Sequence, residues 1–222
     1  MDQNIKIAVL GGGGRTGKYV VKHLLSKGYQ LKILLRNIPE ISEGPEDEFA
    51  SNLTHPLAEI VKGDAVLYED IRRLLSGCAA IISTIGQRPG EPMVASATTK
   101  NVLRVMQEFG IRRYVLVAGV NVDTPFDKKS EKTKAATKWM RENFPAIHED
   151  RAKAYDLLAK SKPDWTLVRL PMIEYTSENF PTDSNTEDCF GQKISAADIA
   201  VFLEEQLTDE QYIRKIPFLY NL

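Results

Sequence analysis

Residues 5–25 constrain this chain more than any other stretch. Ile5-Lys6-Ile7-Ala8-Val9-Leu10 is a short apolar run that enters Gly11-Gly12-Gly13-Gly14-Arg15-Thr16-Gly17. The following residues, 18–25, place Val20, Val21, Leu24 and Leu25 on one helical face. The order predicted is strand, tight turn, helix. A helix N-terminus offers unpaired N–H groups and a partial positive charge. Glycine, with no Cβ, leaves those groups open to a phosphate. Two spacings fit: Gly12-x-Gly14-x-x-Gly17 and Gly11-x-x-Gly14-x-x-Gly17. Either one, between a strand and a helix, predicts a dinucleotide turn whose ligand meets Gly11, Gly13, Gly14, Arg15, Thr16 and Gly17. A ligand-free glycine turn is the alternative.

The rest of the chain repeats the alternation. Strands are predicted over 30–35, 57–61, 79–85, 113–118, 165–170 and 216–220. Helices are predicted over 68–75, 93–109, 128–143, 148–160 and 195–207, the last capped by Ser195 with Asp198 three residues on. Residues 38–56, with Pro39, Gly44, Pro45 and the acidic 46–48, read as a surface excursion holding at most one helical turn. Residues 174–192 read as a polar loop anchored by Phe180 and Phe190. Alternation of this kind implies an α/β fold, a Rossmann-type doubly wound parallel sheet with helices on both faces. Residues 171–222 would supply most of a small substrate-covering lobe. The 222 residues suffice for one such domain spanning 1–222.

The second predicted strand ends in Leu35-Arg36-Asn37. About 20 residues beyond the glycines, an acid binds the ribose 2′-hydroxyl of NAD, whereas an arginine accommodates the 2′-phosphate of NADP. Arg36 stands there with no carboxylate at 35–37, and Arg15 is a second candidate for the same phosphate. The expectation is NADP(H) in preference to NAD(H); a solvated strand-end Arg36 is the alternative.

A net charge of −1 gives no reason to expect nucleic acid or an anionic membrane as a partner. No run has the length of a membrane span. Residues 1–4 lead straight into the first strand, which argues against a secretory signal. Cys78 and Cys189 form no zinc or disulfide pattern. A cytoplasmic protein, monomeric or a weak homodimer, with a small-molecule substrate, is expected. His23, His55 and His148 lie in separate segments and predict no metal site. Lys128, Lys129, Lys132, Lys134 and Lys138 read as a solvated helix face.

Taken together, the 11–17 turn, Leu35-Arg36-Asn37, Val61-Lys62-Gly63-Asp64, Ile82-Ser83-Thr84-Ile85-Gly86, Tyr114-Val115-Leu116-Val117, Asp164-Trp165-Thr166-Leu167-Val168-Arg169-Leu170-Pro171 and Ile194-Ser195-x-x-Asp198-Ile199-Ala200 resemble the atypical short-chain dehydrogenase/reductase group with NmrA-like and biliverdin/flavin-reductase-like members. The resemblance covers essentially the whole chain. It departs in the turn, where the group usually has Gly-Ala-Thr-Gly and this chain has four glycines. It implies that Asp64 and Ala65 lie near the adenine, and that Thr84, Ile85 and Gly86 line the nicotinamide ribose side. Lys153 would reach that ribose, and Pro171, Met172 and Ile173 would flank the nicotinamide ring.

Alcohol-oxidising members use a Tyr-x-x-x-Lys pair, the lysine lowering the tyrosine pKa for proton transfer. Here Glu149 stands four before Lys153, Ala159 stands four after Tyr155, and no serine ends the fifth strand. Lys153 remains the one member of the usual set and the candidate catalytic residue, expected to bind ribose hydroxyls; a plain exposed helix lysine is the alternative. Candidate substrate contacts are Gln87, Arg88, Asn121, His148, Met172 and Tyr175. The expectation is a reductase passing hydride from NADPH to a flavin-, quinone- or tetrapyrrole-like acceptor. The alternative is an NADP(H)-binding redox sensor without turnover.

Overall fold

The structure is a computed structural model that describes residues 5–38 and 48–222. Residues 39–47, about half of the predicted surface excursion, lie outside the described residues. The chain runs β1 (Lys6–Leu10), α1 (Arg15–Ser26), β2 (Gln30–Leu35), α2 (Glu48–Leu53), β3 (Ala58–Lys62), α3 (Tyr68–Leu75), β4 (Ala80–Ser83), α4 (Ala95–Phe109) and β5 (Arg113–Gly119). It continues with α5 (Glu131–Asn143), α6 (Pro145–Ala159), β6 (Asp164–Leu170), β7 (Met172–Glu174), β8 (Thr182–Asn185), β9 (Lys193–Ser195), α7 (Ala196–Glu205) and β10 (Phe218–Asn221).

The main sheet has the order β3-β2-β1-β4-β5-β6-β10-β8. Every pairing is parallel except β8 with β10. The order reverses at β1, between β2 and β4. In open α/β sheets that switch point is where a ligand crevice opens, at the carboxyl ends of the strands. Side-chain alternation in β1 shows how the two faces are made: Ile7 and Val9 join one apolar cluster, Ala8 and Leu10 the other. The first cluster holds Val20, Val21 and Leu24 of α1 with Ile199 and Leu203 of α7. The second holds Ile71 and Leu74 of α3, Val102 and Val105 of α4 and Leu158 of α6.

Boundaries follow local chemistry. Gly110 ends α4 in the left-handed conformation, φ +70°, which costs glycine little. Pro145 occupies the first turn of α6, where its missing N–H has no partner to lose. Ser195 caps α7: its hydroxyl accepts from Asp198 N at 2.9 Å and donates to Asp198 Oδ2 at 2.8 Å.

Two regions differ from the sequence expectation. Residues 174–192 are not all loop. β8 is entirely polar, so no alternation announces it; its backbone pairs with β10 from Phe218↔Asn185 to Asn221↔Thr182. β7 and β9 form a small parallel pair beside it. The segment 171–222 therefore extends the main sheet. Nor is the basic run a uniform solvated helix face. Helix α5 starts at Glu131, capped by Ser130, because Lys129 turns inward. Its ammonium donates to Val120 O at 2.8 Å and Thr137 Oγ1 at 3.2 Å, and meets Asp123 and Asp127.

Candidate functional site

The glycine turn leaves β1 and enters α1. Gly11 has φ +78°, and a Cβ there would lie 2.9 Å from Ile85 N. A Cβ on Gly17 would lie 2.0 Å from Gly11 O. Helix α1 thus starts directly against the turn's own backbone. A Cβ on Gly12 would in turn lie 2.7 Å from Ile33 Cγ2, so the first glycine of each spacing is crowded. Gly14 N donates to Gly11 O at 2.9 Å and closes the turn. Thr84, at the end of β4, donates from its hydroxyl to Gly11 O at 3.2 Å, so its side chain fixes the turn from beside it.

Helix α1 has no acid in its first turn and no side-chain cap on its first N–H groups. Its neighbours differ. Helix α3 opens with Glu69 and Asp70, and α5 with Ser130 and Glu131. The N-terminus of α4 is filled by Asp150 of α6, whose carboxylate accepts from Ala95 N at 2.8 Å and Ser96 N at 3.3 Å. Among the described residues, α1 thus keeps its anion-binding end open, with Gly13 exposed and Gly12, Thr16 and Gly17 buried beside it. That is the fit a dinucleotide pyrophosphate requires.

Arg36 stands at the end of β2 and Asp64 just past the end of β3, close enough for Asp64 to raise the Arg36 pKa. The larger cause of that rise is Glu91, which Arg36 grips with both terminal nitrogens at 2.7 and 3.0 Å. Asp64 Oδ1 accepts from Val66 N at 3.1 Å, and Ala65 is buried beneath it. Arg15 does not join Arg36. Its guanidinium stacks 4.5 Å from the ring centre of Tyr175, beyond β7, so the two arginines engage different segments.

Asn121 and His148 are brought together. The Asn121 amide lies 3.4 Å from His148 Nδ1, joining the end of β5 to the start of α6. One turn further along α6 is Arg151, which the sequence reading missed. Its guanidinium donates to Ile85 O at 2.9 Å and Val117 O at 3.2 Å, tying α6 across the ends of β4 and β5. Burial lowers its pKa, partly offset by Asp150. Behind it lies a cavity of about 20 Å³, lined by Ser83, Thr98, Thr99 and Tyr114 among others. That is room for about one water, so a substrate must lie outside it, along the carboxyl edge.

Two expected contacts are placed elsewhere. Lys153 is exposed and lines an outer groove between α4 and α6 with Lys100, Asp156 and Lys160. At 3.6 residues per turn, the face that carries His148 and Arg151 inward carries Lys153 outward. Gln87 is spent within its own segment: Nε2 donates to Glu91 O at 2.9 Å, Arg88 O at 3.1 Å and Pro92 O at 3.2 Å, and Oε1 accepts from Val94 N at 3.2 Å. Its two amide hydrogens are thus shared among three carbonyls of its own segment, and Oε1 keeps one lone pair. Arg88 is exposed 3.8 Å from Glu91. Pro171, Met172 and Ile173 leave β6 into β7, with Met172 exposed at 77%. Gly86 follows Ile85 with open space around its Cα. Among the described residues no group of three or more His, Cys, Asp or Glu is arranged to hold a metal. No described helix is long and apolar enough to cross a membrane.

An open helix N-terminus on a glycine turn, at the switch point of a parallel sheet, defines the class: an α/β protein built to receive a dinucleotide. The chain belongs to the NAD(P)H-binding family, whose model matches residues 11–210. Among curated relatives it is similar to divinyl chlorophyllide a 8-vinyl-reductase of Arabidopsis thaliana, 22% identical over 96% of this chain and 52% of that protein. The chain spans 35%, 54% and 42% of the length of three other curated relatives that it matches. Among solved structures it resembles a short-chain dehydrogenase/reductase from Veillonella parvula in complex with NADP, TM-score 0.79 and 14% identity over 98% of this chain and 94% of that one. It also resembles ChuY, an anaerobillin reductase from Escherichia coli O157:H7, TM-score 0.73 and 18% identity over 97% of both chains. At these identities the structural likeness concerns the fold.

Proposed function

We propose that the chain is a single-domain NADP(H)-dependent reductase acting on a flat conjugated acceptor of flavin, quinone or tetrapyrrole type, working in the cytoplasm as a monomer or weak homodimer. The observation that carries the cofactor reading is the acid-free N-terminus of α1 with Arg36, and no carboxylate, at the end of β2. When bound, the reduced nicotinamide supplies the hydride. The chain's own groups bind and orient. The first N–H groups of α1 hold the pyrophosphate, and Arg36 holds the 2′-phosphate. Asp64 and Ala65 border the adenine, and Pro171, Met172 and Ile173 border the nicotinamide ring. Asn121, donating to His148 Nδ1, holds a neutral imidazole with its N–H on Nε2, where it can hydrogen-bond and orient a polar group of the acceptor. Arg151 fixes the strand ends that border this pair and keeps a positive charge beside them. Exposed Met172, Tyr175 and Phe180 offer apolar surface to a flat ring system. Two similar proteins are named as reductases of a chlorophyllide and of anaerobillin, which supports a tetrapyrrole-like acceptor.

Fluorescence titration tests the cofactor half. NADPH binds more tightly than NADH, and Arg36→Ala removes that preference, at a cost of about tenfold for one charge-assisted contact to NADPH. Equal affinities in the parent protein sink it. The catalytic half is tested by NADPH consumption with flavin, quinone and bilin acceptors, parent beside His148→Gln. The absence of a Tyr-x-x-x-Lys pair favours a second reading, an NADP(H) sensor without turnover. Consumption no faster than the enzyme-free rate across all three acceptors makes that reading the better one.

A further inference from the structure

Arg36 ends β2, and Glu91 lies in the segment after β4. Strand β1 lies between β2 and β4 in the sheet. The ion pair therefore links the segments that follow the two strands flanking β1. Its geometry is a fork: Arg36 Nη1 to Glu91 Oε2 at 2.7 Å and Nη2 to Oε1 at 3.0 Å. A phosphate meets a guanidinium in the same two-point way.

We propose that Glu91 is a specificity-determining residue for the cofactor's 2′ position, an internal carboxylate that occupies Arg36 as a 2′-phosphate would. NADP(H) then binds by exchanging one anion for another on the same guanidinium. NAD(H), with a hydroxyl at that position, leaves the pair intact. The inference rests on the NADP(H) reading above and adds the residue that sets how strong the preference is.

Three observations support it. The segment carrying Glu91 is held in shape by the four hydrogen bonds of Gln87, so the carboxylate is presented to Arg36 by a folded loop. The pair is partly exposed, with side-chain accessibilities of 37% and 38%, so solvent and an incoming anion can compete for it. Arg88 Nη1 lies 3.8 Å from Glu91 Oε1 and is itself 61% exposed. It can keep the carboxylate company once Arg36 turns to a phosphate, which lowers the cost of the exchange. Asp64 adds a second negative charge near Arg36 without taking its fork.

Calorimetric titration of the full chain with NADPH and with NADH tests this, using the parent, Glu91→Gln, Glu91→Ala, Arg36→Ala and the Arg36→Ala/Glu91→Gln double variant. An exposed ion pair of this kind predicts about a two- to fivefold gain in NADPH affinity on losing Glu91, with NADH unchanged. The gain shrinks at high salt and vanishes in the Arg36→Ala background. Unchanged or weaker NADPH binding in Glu91→Gln and Glu91→Ala overturns the proposal, since Glu91 then does not compete or instead orients Arg36. An equal change for both cofactors overturns it as well, because the loop and not the 2′ position is then being read. If parent and Arg36→Ala bind both cofactors alike, the NADP(H) reading itself has failed and the proposal falls with it. A parent that prefers NADPH while the Glu91 variants do not move isolates the failure to this inference.

Discussion

Substituting Gly17 by Ala sets two effects against each other. Alanine is the better helix former by about 0.8–1.0 kcal/mol in a helix interior, less in a first turn. Against that, the new methyl group would stand 2.0 Å from Gly11 O, 2.7 Å from Gly11 C and 2.8 Å from Gly12 Cα. All three are backbone atoms of the turn, so no side-chain rotation relieves the contact. Reaching even 3.0 Å requires the start of α1 to back away by about 1 Å. Overpacking of this kind costs about 1–3 kcal/mol, so the clash wins and the net loss is about 1–2 kcal/mol. For a chain of this length that lowers Tm by about 2–8 °C. The same displacement withdraws the first N–H groups of α1 from any bound phosphate, and NADPH affinity falls at least about tenfold. Gly13→Ala is the control: its methyl meets only the flexible tip of Leu35, at 3.0 Å, and Tm stays within about 2 °C. Thermal unfolding by circular dichroism and fluorescence titration with NADPH read the two quantities. A Gly17→Ala protein with parental Tm and parental NADPH affinity refutes the close-approach argument. A Gly13→Ala protein as damaged as Gly17→Ala refutes the distinction between backbone and side-chain contact.

Asp150→Ala strips the N-terminus of α4 of a buried carboxylate that accepts from Ala95 N and Ser96 N. Loss of the cap and the unsatisfied donors left behind cost about 2–4 kcal/mol, and Asp150→Asn costs less because an acceptor remains; calorimetric unfolding of both variants checks the order. Burial pushes the thiols of Cys78 and Cys189 up to about 11. Both are therefore protonated and slow to react with a disulfide reagent at pH 8, and both react fully once the chain is unfolded; a native count near two contradicts the buried placement.

The parts of the fold that were legible are those in which one periodicity dominates. β1 is a short continuous apolar run and α1 carries a clean apolar stripe, so the sequence alone marks the turn between them. Arg36 was legible because a fixed offset from the glycines points to it. Glu91 was not, since nothing local distinguishes a surface acid that meets its partner 55 positions away. Motif spacing points to Lys153 and gives no signal for Arg151. The alternative, helical phase, gives little guidance in α6, where Ala146, Ala152, Ala154 and Ala159 are tolerant of either environment. Asn121 and His148 were recognised as candidates, but their pairing depends on where α6 crosses β5. Lys129 reads as one of a row of surface lysines until the carbonyls of Val120 and Val122 are seen to enclose it.

The polar strand β8 has one more consequence. An eight-stranded sheet ends in two rows of unpaired backbone groups, and such rows can template growth into a second molecule. At one end here, β8 offers Thr182, Asp183, Ser184 and Asn185, with no apolar side chain to reward stacking. At the other, β3 carries exposed Glu59 and Lys62, and Glu59 is already bound to Lys6 and Lys32. Both margins thus resist β-aggregation, and the chain can carry a long run of Val, Ile and Leu strands between them without polymerising through its edges.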